Sequence, residues 1–190
     1  MVFPCLGIME NKNKMKLNLG CGNMRIPGFI NIDIRKLEGV DYVTSIDKLD
    51  VFKDRSIDLV YASHVLEHVP RSQTEPALHE WYRVLKKGGV LRIAVPDFEA
   101  IIKVYLKNEN LDELMGSLYG RQDYEYNFHY RIFDFKTFEG ILKKIGFKQV
   151  KRYDFKETIH DDYPDYSWSY LPHGDRENGI LISLNIEAVK

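Results

Sequence analysis

The chain of 190 residues carries 27 Lys+Arg against 28 Asp+Glu, a formal net charge of −1, with 44% hydrophobic and 29% charged residues. That length fits one domain with a substantial core, and the apolar content excludes wholesale disorder. The cancelled charge argues against a general phosphate-binding surface, so no nucleic-acid partner is expected. Two cysteines, Cys5 and Cys21, make neither a disulfide framework nor a zinc site unaided, and a reducing, cytoplasmic setting fits them best. The 12 tyrosines against 2 tryptophans are an excess that the elements below must place.

No apolar run approaches the roughly 18 residues of a membrane span, so no membrane insertion is expected. Residues 1–14 read as a flexible tail, with Met1, Met9 and Met15 as alternative starts, and residues 15–190 as a single domain. Lys16–Leu19 is a short apolar strand running into Gly20-Cys21-Gly22. Phe29–Asp33 alternates like a strand and ends in an acid, Tyr42-Val43 is β-rich, and Ile57–Ala62 is a strand rising to Ser63-His64. Ser72-Gln73-Thr74-Glu75 reads as a capping box for a helix bearing Ala77, Leu78, Trp81, Val84 and Leu85, stopped by Gly88-Gly89. Val90–Val95 is the next strand. Phe135–Ile145 is an amphipathic helix ended by Gly146, and Phe147–Tyr153 and Ile180–Val189 are strands. This alternation predicts an open, mostly parallel α/β sheet. Two stretches interrupt it, residues 98–130 and 156–178, and loops of that length usually cover a site.

A strand running straight into G-x-G gives a sharp turn on which a ligand can lie against bare backbone. In a doubly wound sheet that turn stands at the carboxyl edge, where ligands bind. Asp33, ending the next strand, can accept hydrogen bonds from two ribose hydroxyls. Arg25 stands where a dinucleotide fingerprint needs its third glycine, and G-K-[ST] is absent, so a nucleoside without a phosphate cradle fits better.

Leu17–Gly22, Asn31–Asp33, Ile57–His68 (IDLVYASHVLEH) and Arg83–Asp97 (RVLKKGGVLRIAVPD), in that order, resemble the class I S-adenosylmethionine-dependent methyltransferases. They look closest to small members found with surface-polysaccharide and other small-molecule pathways. The resemblance implies a Rossmann-like sheet of seven strands, mostly parallel, with an antiparallel last strand, and S-adenosylmethionine as cofactor. It implies that Gly20, Cys21 and Gly22 line the methionine moiety and that Asp33 holds the ribose. Ile46 and Asp47 would border the adenine, while Ser63 and His64 would face the methionine part and the acceptor. One departure stands out: the stretch between Gly22 and Asp33 includes Pro27-Gly28 and is too short for a full crossover helix with its loops, so the first helix is expected to be shortened or missing.

Methyl transfer rests on alignment, and an oxygen acceptor of high pKa also needs a base. His64, directly after a strand, and His129, closing the 98–130 stretch, are the candidate bases. His68, Asp97, Tyr126 and Tyr130 are candidate acceptor contacts, although Asp97 equally suits a helix cap and the loop tyrosines equally suit packing. Glu67 is placed to orient either neighbouring histidine. His64 and His68 at i, i+4 have metal-ligand spacing, but no third ligand stands near them in sequence and no metal is expected. His160 and His173 flank a loop where sequence does not decide between lid and surface. The expected activity is methyl transfer to a small-molecule acceptor such as a sugar or glycan intermediate. A protein methyltransferase and a non-catalytic cofactor-binding module are the alternatives.

Overall fold

The computed structural model describes residues 14–159, 162–163 and 165–190; most of the expected tail, and His160, lie outside them. Among the described residues the strands are β1 (Lys16–Leu19), β2 (Ile30–Asp33), β3 (Tyr42–Val43), β4 (Ile57–Ser63), β5 (Leu85–Pro96), β6 (Lys148–Arg152), β7 (Tyr170–Leu171), β8 (Ile180–Leu181) and β9 (Ser183–Val189). Seven of them form one sheet in the order β3-β2-β1-β4-β5-β9-β6, and β7 and β8 pair separately. β9 runs antiparallel to both β5 and β6, and the other pairs of the large sheet are parallel. This is the mostly parallel sheet with an antiparallel last strand that the resemblance implied. Strand order reverses between β1 and β4, so the crevice beyond their carboxyl ends is the topological switch point. The glycine turn follows β1 there, and His64 follows β4.

Side chains alternate across β4 and feed two different cores. Val60 and Ala62 join the main core with Ala77, Leu78, Trp81 and Val84 of helix α1 (Arg71–Val84) and Phe138, Leu142 and Ile145 of the helix Phe135–Ile145. Leu59 and Tyr61 face the other way, against Ile26, Phe29 and Tyr163. That second side receives no helix from the β1–β2 crossover: residues 20–29 are all turn and coil. The shortened first helix is in fact missing. A cover comes instead from the irregular stretch after β6, where Asp165 accepts a hydrogen bond from the Tyr61 hydroxyl and the Ser167 carbonyl accepts one from Asn185 Nδ2 at 3.0 Å. Helices α2 (Phe98–Asn108) and α3 (Met115–Tyr119) come next in the chain, making the helix Phe135–Ile145 α4. A small third cluster joins Ala100, Ile101 and Val104 of α2 to Leu114, Leu171 and Ile182.

Two local expectations are corrected. Helix α1 starts at Arg71 behind Pro70, with no side-chain cap from Ser72; Thr74 instead donates back to the Pro70 carbonyl at 3.4 Å. Gly88-Gly89 does not stop that helix. The strand begins at Leu85, which pairs with Ile57, and Lys190 bonds both glycines, accepting from Gly88 N–H and donating to the Gly89 carbonyl at 2.9 Å each. Pairing with β4 and β9 overrides the local glycine signal.

Candidate cofactor and acceptor site

Gly20 leaves β1 at φ 61°, and a Cβ on it would stand 2.2 Å from Val65 Cγ2, so no other residue fits. Gly22, at φ 51°, aims its N–H at Asp33 Oδ2, 2.8 Å away. Cys21 continues the ladder through N–H to the Ile32 carbonyl at 2.9 Å and tucks its side chain inward. Burial, and then the negative charge of Asp33, push its thiol up to about 11, so it is a packed, protonated group at neutral pH. Asp33 is only 4% exposed, and its Oδ1 accepts from Arg35 N–H at 2.9 Å and Arg35 Nε at 3.0 Å. Arg35 in turn lies over the Tyr124 ring, 5.1 Å from its centroid. The first tyrosine-rich loop therefore reaches back to the carboxyl edge.

Beyond β4, Ser63 Oγ is buried with no hydrogen-bond partner. His64 adopts φ 49°, a left-handed conformation uncommon outside glycine. Its N–H donates to the Ala94 carbonyl at 2.9 Å, and its Nε2 lies 2.9 Å from Ser183 Oγ. Because Ser183 donates its own proton to Asn185, it accepts from His64 Nε2–H. His64 Nδ1 lies 3.2 Å from Glu67 Oε1, and the Tyr166 ring packs 5.7 Å away. Both nitrogens of His64 thus face protein groups, so it does not stand as a free base in this structure, unlike the role the sequence suggested.

Glu67 lies on a single 3-10 turn, Leu66–His68, and is 0% exposed, yet neither carboxylate oxygen completes a hydrogen bond. Its burial works against the charge, but contact with His64 and the nearness of His68 and His129 prevail and hold the carboxyl below its usual range. Its main-chain carbonyl accepts Tyr130 N–H at 2.8 Å, which lays residues 128–130 over the turn. The His68 and His129 rings meet edge to face, 4.8 Å between centroids. Burial lowers the His129 pKa, so its neutral form is favoured. Tyr126 and Tyr130 are 40% and 48% exposed. Tyr130 shares a groove with His129, Phe98, Leu118 and Arg131.

Three predicted residues also make scaffold contacts. Asp97 is 4% exposed and caps α2, accepting from Glu99 N–H at 3.1 Å and Ala100 N–H at 3.4 Å, while Oδ2 pairs with Arg152 at 2.9 Å. Its carboxylate is thereby used, and an acceptor contact there is withdrawn. Ile46 is buried in the main core, and its carbonyl accepts Trp81 Nε1–H at 2.7 Å. Asp47 accepts from Ser45. Sequence reasoning placed Tyr124 and Tyr166 only among the loop tyrosines and overlooked the roles of Arg35 and Ser183. Only Arg35, two residues past the acid, carried a local signal.

These features fit a nucleoside cofactor with no phosphate cradle. Asp33 stands at the switch point with Oδ2 on the Gly22 N–H, the glycine turn brings bare backbone to it, and the buried Ser63 hydroxyl at the end of the neighbouring strand has no hydrogen-bond partner among the described residues. Residues 26–93 match the family described as "Methyltransferase domain". The chain is 28% identical over 160 residues to a ubiquinone/menaquinone biosynthesis C-methyltransferase of Vibrio campbellii, an alignment covering 80% of this chain and 58% of that relative. It thus spans little more than half the length of the curated relative. Among solved structures it shares its fold with an S-adenosylmethionine-dependent methyltransferase of Archaeoglobus fulgidus (18% identity, TM-score 0.56, 94% and 87% of the two chains). It also shares it with the 1,6-didemethyltoxoflavin-N1-methyltransferase of Burkholderia thailandensis, solved with 1,6-didemethyltoxoflavin and S-adenosylhomocysteine bound (16% identity, TM-score 0.57, 93% and 70%). Residues 26–93 thus carry a likeness to a methyltransferase domain, and the chain shares the fold of solved S-adenosylmethionine-dependent methyltransferases.

Proposed function

We propose that this chain transfers a methyl group from S-adenosylmethionine to a small polar acceptor in the cytoplasm, with a sugar or glycan intermediate as the leading class. The observation that carries the reading is the convergence of the Gly20–Gly22 turn, Asp33 and the orphaned Ser63 hydroxyl at the switch point. When bound, the cofactor supplies an electrophilic methyl group on sulfonium sulfur. Asp33 would hold the ribose hydroxyls, Gly20, Cys21 and Gly22 would present backbone to the methionine part, and Ser63 would give its hydroxyl to the same part. Ile46 and Asp47 would border the adenine. His129 and Tyr130 would meet the acceptor from the loop above, with Tyr126 nearby, and His64 would orient Glu67 beneath. Alignment of acceptor and methyl group is the main source of rate.

The test is calorimetry with S-adenosylhomocysteine. Wild type binds, and Asp33→Ala weakens binding tenfold or more, about 1.4 kcal/mol; equal affinity removes Asp33 from the site. Failure of the wild type to bind at millimolar concentration favours a non-catalytic module. The curated relative's C-methyl chemistry supports a second acceptor reading, a carbon nucleophile. A turnover panel of sugars, amines, carboxylates and phenols, with the methylated atom located by mass spectrometry and NMR, decides between the two.

A further inference from the structure

Glu67 poses a problem that methyl transfer leaves unsolved. A fully buried carboxylate whose two oxygens complete no hydrogen bond is costly unless a cation meets it. Around it stand three imidazoles. One ring nitrogen of His68, one of His129 and a carboxylate oxygen of Glu67 lie within 4.8 Å of one another. The third histidine, His64, meets Glu67 Oε1 through Nδ1 at 3.2 Å and Ser183 through Nε2, so it touches only one of the two carboxylate oxygens.

The two remaining rings are set up alike. His68 Nδ1 stands 3.2 Å from the Phe128 carbonyl, and His129 Nδ1 stands 3.0 Å from the Ser117 carbonyl. A carbonyl only accepts, so each Nδ1 carries a proton, and in the neutral ring each Nε2 has its lone pair available for a metal. Histidines that ligate metals are held in this way, with the distal N–H donated to a main-chain carbonyl. Residues 128–130 are fixed over Glu67 by the Tyr130 N–H bond, so the donors are brought together by backbone and not by chance side-chain rotation. Donors about 2.1 Å from one ion stand roughly 3.4 Å apart at the tetrahedral angle, so the three atoms, already within 4.8 Å of one another, would have to close in on the ion. The groove lined by His129, Tyr130 and Arg131 gives a route from solvent.

We propose that Glu67, His68 and His129 form a binding site for a divalent transition-metal ion. Two imidazoles and one carboxylate suit Zn²⁺, Co²⁺ or Fe²⁺ and disfavour Mg²⁺ and Ca²⁺, which take oxygen ligands. Three protein ligands leave coordination positions open. The site is independent of whether the chain transfers methyl groups. Its rival is a protonated His64 acting alone as the cation for Glu67.

The test uses the full chain, stripped with chelator and titrated with Zn²⁺ by calorimetry and with Co²⁺ by visible absorption. Expected are one ion per chain with a dissociation constant of about 10 μM or tighter, a Co²⁺ spectrum with nitrogen ligation, and a rise in melting temperature with Zn²⁺. His68→Ala and His129→Ala each weaken binding about a hundredfold or more, while the exposed His79→Ala leaves it unchanged. Glu67→Gln keeps the side-chain shape and loses the Zn²⁺-dependent rise in melting temperature, with near-ultraviolet circular dichroism checking its fold. Absence of uptake at about 100 μM Zn²⁺, or uptake indifferent to Glu67→Gln, His68→Ala and His129→Ala, overturns the proposal and leaves His64 as the partner.

Discussion

The two sides of the sheet are closed by different means. One side is sealed by α1 and α4, whose Ala77, Leu78, Trp81, Phe138 and Leu142 are fully buried against Val60 and Ala62. The other, where the crossover helix is missing, is sealed by irregular chain and held by polar tethers, Tyr61 to Asp165 and Asn185 to Ser167. Close-packed helices supply stability through dispersion and apolar burial, whereas a tethered loop supplies it through a few specific hydrogen bonds that are worth less each. The comparison teaches why the tyrosine surplus exists. Tyrosine is the residue that buries a large ring and still offers a polar end to irregular backbone. Tyr61 and Tyr163 serve that side, and Tyr124 serves the carboxyl edge through Arg35.

Substitutions on the two sides therefore separate in size. Trp81→Ala, on the helical side, empties a fully buried site and deprives the Ile46 carbonyl of its donor; urea denaturation is expected to show a loss of about 3–5 kcal/mol. Tyr61→Phe, on the loop side, keeps the ring and removes the hydroxyl that tethers Asp165, and is expected to cost about 1–2 kcal/mol. A Tyr61→Phe loss as large as that of Trp81→Ala would erase the contrast. At the edge between them, Arg35→Ala takes the guanidinium away from Asp33 and leaves the main-chain N–H of residue 35 on Oδ1, and S-adenosylhomocysteine binding by calorimetry should tighten, by about threefold, in opposition to Asp33→Ala. The smallest effect concerns Cys21. A folded pKa raised to about 11, from 9.0, favours the thiol in the folded state. Stability is thus unaffected below pH 8 and falls as pH climbs from about 9 towards 11, at no more than about 1.4 kcal/mol per unit. In a Cys5→Ser background, alkylation of the remaining thiol should be slow at pH 8 and accelerate over that same range.

Much of the frame was legible because its signals are local. Strand β1 and helix α4 have the predicted bounds, since α4 is opened by Asp134, whose Oδ1 accepts Thr137 N–H at 2.8 Å, and closed by Gly146. That the first crossover helix is shortened or missing was legible from chain length alone; that it is missing altogether was not. The start of β5 was not, because it is fixed by Ile57 and Lys190, far away in sequence. The site divides along the same line. The glycine turn and Asp33 are near neighbours and could be read together; their contact is a direct hydrogen bond. His68 and His129 meet only because the loop after α3 folds back over the Leu66–His68 turn. The i, i+4 spacing instead drew attention to His64, whose left-handed backbone turns its ring towards Ser183.

The bare crossover after β1 has an electrostatic consequence. Where a helix begins at such a turn, its first N–H groups and its dipole make an anion site worth up to about 2 kcal/mol for a negative group nearby. Residues 20–29 begin no helix, so that attraction is missing at this turn. A pyrophosphate would find no counter-dipole here, while a ligand recognised by neutral hydroxyls through Asp33 loses little. On the proposed reading, the chain's departure from a full crossover would act as a filter on ligand charge, disfavouring phosphorylated nucleotides at a turn that takes a nucleoside.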